Sequence, residues 1–212
     1  MRQAGVAVIA AVACVASANI AWAQTPPTQP PAQPPTATRG AGGARVIIRV
    51  MTLTTTAFTD GDFIPHRHAQ AGRDVSPPLA WSGVPDSTRS FVLVVHDADA
   101  AIGDGTDDLL HWMVWNIPGS ATSLPEGVVQ GAQSANGMRQ LSGTGPYYRG
   151  PAAPATGPAH HYVFELYALD AMLTVPAVGM APPATRAAVM SAMVTHVRGK
   201  AVLVGRYRRP AP

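Results

Sequence analysis

Cysteine is all but missing from this 212-residue chain: the single one, Cys14, lies in the first apolar stretch. Without a thiol elsewhere there is no disulfide framework and no cysteine nucleophile, so a folded domain must rest on its buried core. Also missing are the Gly-x-Ser-x-Gly elbow of serine hydrolases, a Gly-x-x-x-x-Gly-Lys-Ser/Thr phosphate loop and a His-Glu-x-x-His metal helix. These absences remove the most recognisable esterase, nucleotide-binding and zinc-protease chemistries. No run of basic residues precedes Arg206-Tyr207-Arg208-Arg209, and the formal net charge is +3, from 15 Lys and Arg against 12 Asp and Glu. Nucleic acid is therefore not an expected partner. No internal repeat is visible.

What is present begins with a charged start at Arg2, an apolar core from Val6 to Val15 and a small-x-small site at Ala21-Trp22-Ala23. Residues 1–23 read as a secretory signal peptide. The apolar core is too short to span a bilayer, so no transmembrane span is expected in the mature chain. Lipidation at Cys14 is the weaker alternative, since little apolar sequence precedes it. Gln24 to Ala44 is rich in Pro, Gln, Thr, Ala and Gly and cannot bury enough apolar surface to order itself, so residues 24–44 read as a disordered, semi-rigid linker. Residues 45–212 form the one folded domain, placed by its leader in the periplasm or outside the cell.

Within that domain Phe91-Val92-Leu93-Val94-Val95 leads into His96-Asp97-Ala98-Asp99, and Leu110-His111-Trp112-Met113-Val114-Trp115-Asn116-Ile117 is stopped by Pro118. Both read as buried strands, with Trp112 and Trp115 on opposite faces. His160 to Asp170 reads as a third, with His160, Tyr162, Phe164 and Leu166 on one face. Ala44 to Leu53 reads as the first strand and Ala201 to Tyr207 as the last. Val75 to Pro85 is an ordered extended segment whose prolines argue against helix and against a central strand. Ser120–Gln133 and Ser134–Gly157 read as loops. Val189, Met193 and Val197 recur at helical spacing, which predicts a short helix over Arg186 to Val197, capped by Thr185 and ended by Gly199. The fold expected is mainly β, a two-sheet sandwich with one or two peripheral helices.

Asp97 and Asp99 leave one face of an extended chain with Cα atoms about 6.5 Å apart. Such a pair repels, and one member tends to keep a proton or recruit a cation. His111 and His160 stand beside them at the edges of apolar strands. One reading is a recognition site. Another is a metal-dependent or acid/base hydrolase using Asp97, Asp99 and His111, since these are ligand types for a divalent ion. His66-Arg67-His68 at strand spacing could also hold a metal, but two locally hydrogen-bonded histidines are the preferred reading, because no carboxylate pair completes a shell.

The order of six motifs is more specific than any of them alone. They are Asp62-x-Ile64-Pro65, Gly72-x-Asp74-Val75-Ser76-Pro77-Pro78-Leu79-x-Trp81, His96-Asp97-Ala98-Asp99, His111-Trp112-x-Val114-x-Asn116-Ile117-Pro118, Tyr148-Arg149-Gly150-Pro151 and Gly157-Pro158-x-His160-His161-Tyr162. From about residue 46 to Tyr207 the chain resembles the phosphatidylethanolamine-binding protein family, in its bacterial Raf-kinase-inhibitor-like branch. The resemblance implies an antiparallel β-sandwich and a small anion pocket for phosphate or a phospholipid head group. It implies ligand-binding roles for Asp97, Asp99, His111, His160, Tyr162, Tyr148 and Gly150, with no cofactor and no catalytic residue. It also allows inhibition of another enzyme, or a protein-interaction module with a vestigial pocket acting through Ser134 to Gly157; the protein target and the choice between monomer and homodimer stay open. The chain departs from the family's Asp-Pro-Asp-x-Pro loop at Ala98 and Ala101, losing two fixed φ angles at the pocket rim.

Overall fold

The continuous apolar runs of the sequence lie in the middle of a sheet that is covered on both faces. The computed structural model describes residues 47–211, so the expected signal peptide and linker fall outside the described residues. Its strands are β1 (Arg49–Val50), β2 (Thr52–Thr54), β3 (Leu79–Ser82), β4 (Ser90–Ile102), β5 (Asp107–Pro118), β6 (Ser123–Leu124), β7 (Arg139–Leu141), β8 (His160–Leu169) and β9 (Val197–Tyr207), with one helix, α1 (Pro182–Met193). A six-stranded sheet has the order β1-β9-β8-β4-β5-β7, and a three-stranded sheet the order β2-β3-β6. This is the expected mainly β sandwich. Neighbours run antiparallel except β1, which pairs parallel with β9 at Arg49↔Gly199 and Val50↔Lys200.

The inner face of the large sheet, with Phe91, Leu93, Val95, Trp112, Val114, Phe164 and Leu166, packs on Leu53, Leu79, Trp81 and Leu124 of the small one. The outer face, with Val92, Val94, Met113 and Trp115, lies under Val189 and Met193 of α1 and under Leu173 and Val175. Double coverage explains why β4 and β5 read as unbroken apolar runs instead of alternating ones. Trp112 and Trp115 are both fully buried, in different clusters. No helix among the described residues is long and apolar enough to cross a membrane.

Several local expectations change. The helix starts at Pro182, with prolines in its first turn where a missing N–H costs nothing. Thr185 is therefore inside the helix, not its cap: its hydroxyl donates to the Ala181 carbonyl at 3.2 Å. The helix ends at Met193, where Thr195 takes a left-handed φ of 71°, so Val197 and Gly199 belong to β9. Gly199 packs closely there, since a Cβ would come within 2.6 Å of Met51 Sδ and 3.1 Å of the Pro85 ring. The expected first strand is two, because the chain changes sheets at Met51. β3 is a central strand after all: Pro77, Pro78 and Pro85 bracket it, leaving its four residues free to pair. The two expected loops each carry a short strand, β6 and β7.

Candidate ligand-binding site

β4 and β5 pair at Val95↔Trp112 and next at His96↔Leu110, so His111 is one residue too many for the ladder. A bulge of this kind re-aims a side chain. Unpaired on β4, His111 bonds instead to the loop after β7: its carbonyl accepts the Arg149 N–H at 3.1 Å, and its ring Nδ1 donates to the Arg149 carbonyl at 2.8 Å. A carbonyl only accepts, so Nδ1 carries the hydrogen and Nε2 of the neutral ring bears the lone pair. That Nε2 is buried and has no partner. The ring stands edge-on to Tyr162, with centroids 5.1 Å apart. Burial pushes the His111 pKa down, against the opposing pull of the Arg149 carbonyl, the Asp97 carboxylate and the Gly150 carbonyl.

Asp97 lies across from Tyr162 on β8 and is only 3% exposed. Its Oδ1 accepts the N–H groups of Asp99 at 3.0 Å and Ala100 at 3.2 Å, and its Oδ2 accepts Nδ1–H of His160 at 2.9 Å. The carboxylate thus ties down the backbone just after it and fixes the orientation of His160. The Tyr162 oxygen accepts the N–H groups of Ala152 at 3.2 Å and Ala153 at 3.0 Å. Burial, with the Asp97 carboxylate beside it, pushes the Tyr162 pKa well up.

Asp97, His111, His160 and Tyr162 are therefore brought together, whereas two other expected residues are turned elsewhere. The half-exposed Asp99 accepts the backbone N–H of His161 at 2.5 Å and its Nδ1 at 2.9 Å. That backbone bond is the main reason its pKa is lowered. Asp97 and Asp99 do not share a partner: Asp97 Oδ2 is bonded to His160 and Asp99 Oδ2 to His161. The hydrolase reading needs Asp99 beside Asp97 and His111, whereas Asp99 is bonded to His161. Tyr148 is buried, its hydroxyl donating to the His68 carbonyl at 3.0 Å and its ring edge-on to Trp112. It supports the site from the core side. Gly150 shapes the site through its backbone: its N–H donates to Asp74 Oδ1 at 2.6 Å, its carbonyl accepts the Gln70 amide at 2.8 Å, and a Cβ would lie 2.1 Å from the His68 carbonyl.

Sequence reasoning did not name Gln70, Asp74 or the Arg149 carbonyl, although Asp74 stood inside a quoted motif. An aspartate held at a φ of 53° is the signal that the motif protects a backbone position. His66 and His68 sit on a single 3-10 turn, not a strand. His68 Nδ1 donates to the Val75 carbonyl at 2.9 Å and His66 Nδ1 lies 3.1 Å from the Tyr207 hydroxyl, so each is locally hydrogen-bonded. Among the described residues no group of three or more His, Cys, Asp or Glu side chains is placed to hold a metal ion. Two wider clefts lie away from the cluster. One, of about 520 Å³, runs between the β4–β5 hairpin and α1 past the Asp108–Arg186 ion pair; the other, of about 610 Å³, lies around Leu124, Val128 and Met138.

Fold and site together define a two-sheet β-sandwich protein with a buried Asp–His–Tyr cluster at the end of its larger sheet. The sequence profile of the phosphatidylethanolamine-binding protein family matches residues 54–208, and the chain belongs to that family. It is 40% identical over 161 residues to a UPF0098 protein of Methanothermobacter thermautotrophicus, covering 75% of this chain and 99% of that one. It is 37% identical over 127 residues to the UPF0098 protein YbhB of Escherichia coli, covering 57% of this chain and 78% of YbhB. Two crystal structures share the fold. Escherichia coli YbcL, described as a member of the mammalian PEBP family, superposes with a TM-score of 0.64 at 25% identity, covering 75% of this chain and 98% of YbcL. The Chlamydia trachomatis homologue CT736 superposes with a TM-score of 0.58 at 30% identity, covering 76% and 99%.

Proposed function

We propose that the chain is an exported binding protein that takes a phosphate group, free or on a small head group, at the cluster of Asp97, His111, His160 and Tyr162. The observation that carries this reading is the bare Nε2 of His111. A buried polar atom without a partner costs about 1–3 kcal/mol, and a hydrogen bond from an entering ligand removes that cost. The His160 side chain, 21% exposed, is the group a ligand meets at the rim. Its Nδ1 is taken by Asp97, so Nε2 faces the ligand. Asp97, with hydrogen bonds on both oxygens, positions His160 instead of touching the ligand. The family's name, which specifies a phospholipid with a phosphate-bearing head group, supports this ligand class.

Titration calorimetry with inorganic phosphate and O-phosphoethanolamine tests the proposal on the wild type and on His160→Ala, a change that leaves the core closed. Loss of one charge-assisted hydrogen bond costs about 1.5–3 kcal/mol, or roughly ten- to a hundredfold in affinity. Equal affinity in the two proteins, or no binding in either, overturns the reading.

A further inference from the structure

The site is built with a lone pair where an anion needs a hydrogen. His111 Nδ1 is committed to the Arg149 carbonyl, so whenever the ring is neutral its free nitrogen can only accept. The surroundings favour the neutral ring: it is 2% exposed, Arg149 follows the same loop, and the Tyr162 ring covers one side. Asp97, the one carboxylate acting on the ring, has its Oδ2 bonded to His160. Burial outweighs it, and the His111 pKa lies below its ordinary value.

We infer that the pocket selects a phosphomonoester carrying one acidic hydrogen, which donates to His111 Nε2, over a phosphodiester, which has none. The inference rests on the proposed phosphate reading and adds the class of phosphate. A monoester monoanion offers both kinds of group: an ionised oxygen for His160 Nε2 once that nitrogen also carries a hydrogen, Nδ1–H being held by Asp97, and a P–OH for the acceptor at His111. A diester brings only ionised and esterified oxygens, so it binds only after His111 is itself protonated in its buried position. The balance of protons follows directly. Above the second phosphate pKa of about 6 the free monoester is a dianion, and forming the bound monoanion takes up one proton from solution, besides any that His160 takes up to donate from Nε2.

Calorimetry of the wild-type protein with three probes tests this: inorganic phosphate, O-phosphoethanolamine as a free monoester, and glycerophosphoethanolamine as the diester an intact phospholipid presents. Repeating each titration at about pH 7.5, above the second phosphate pKa, in buffers of different ionisation heat counts the protons taken up. The expected result is at least one proton per monoester, with affinity weakening at least about tenfold per pH unit above that pKa. The diester is expected to bind roughly ten- to a hundredfold more weakly than the monoester. Monoester binding without proton uptake, or a diester as tight as the monoester, overturns the inference while leaving the phosphate pocket standing. Failure of all three probes overturns both. In His111→Gln the amide can donate as well as accept, so proton uptake is expected to fall by about one per monoester and the two phosphoethanolamine probes to converge in affinity. Unchanged discrimination in a folded His111→Gln protein also refutes the role given to this ring.

Discussion

At the scale of the residue, His111 links stability to pH. Its folded pKa is depressed while its unfolded value is about 6.5, so between the two the unfolded chain binds more protons. The contribution to stability is therefore complete above about pH 6.5 and is lost as pH falls through the folded pKa. Urea midpoints measured from neutral to mildly acidic pH are expected to drop more in the wild type than in a folded His111→Gln variant; parallel curves would show that the ring does not titrate differently on folding. Asp97→Asn keeps the shape but replaces an acceptor of the His160 hydrogen by a group that can present N–H. Phosphate affinity is expected to fall roughly tenfold, by analogy with other charge-assisted bonds, with little loss of fold. These residues were legible in the sequence because each stands where an apolar run ends. The different partners of Asp97 and Asp99 were not, since a spacing of two does not say which histidine of β8 each carboxylate meets.

Elements add irregularities that no period reveals. A second bulge lies between Phe91↔Ile117 and Leu93↔Val114, where Asn116 adopts a φ of 58°. Its side chain donates to the Leu173 carbonyl and accepts the Leu173 N–H, both at 2.8 Å, pinning the segment that covers the outer face. Asn116→Ala loses both bonds and keeps the left-handed backbone, so a cost of about 2–4 kcal/mol is expected in denaturant unfolding. Asn116→Gly, which relaxes the backbone, should cost less; the reverse order would show that side-chain bonding does not dominate. Gly150→Ala has no room against the His68 carbonyl, and overpacking of this kind costs about 1–3 kcal/mol. Because the shift moves the neighbouring Arg149 carbonyl, ligand affinity should fall with stability, and a variant that loses neither would contradict the close packing. The strands themselves were legible from composition. The helix lies four residues earlier than its apolar spacing implied, at Pro182–Met193, because Thr185 is inside it and Gly199 belongs to β9, so neither residue caps it.

For the whole molecule, the two-sheet sandwich could be read from many short strands, abundant Pro and Gly and one helical stripe, because those features follow from local chemistry. Sheet order could not, since it depends on contacts between distant residues. Among the described residues the buried clusters begin at Met51, so a protein beginning at Ile47 is expected to unfold within about 2 °C of the full-length chain; a larger drop would reveal contacts from the preceding segment. The proposed export carries its own check: N-terminal sequencing of the secreted form should read Gln24, and a retained Met1 or a lipidated Cys14 would refute the leader assignment.

The parallel pairing of β1 with β9 has a mechanical consequence. Any tension transmitted along the chain from the residues before Ile47 arrives first at a two-residue strand on the sheet edge. That contact joins Arg49 to Gly199, whereas His160 of the site pairs with Tyr207 at the other end of β9, about 26 Å along the strand at 3.3 Å per residue. A pull on the amino-terminal side would therefore peel away β1 and then the Met51 N–H from the Lys200 carbonyl before it reached the histidines. The two-residue edge contact is thus the first to yield, and the register that holds His111 at its bulge lies beyond it.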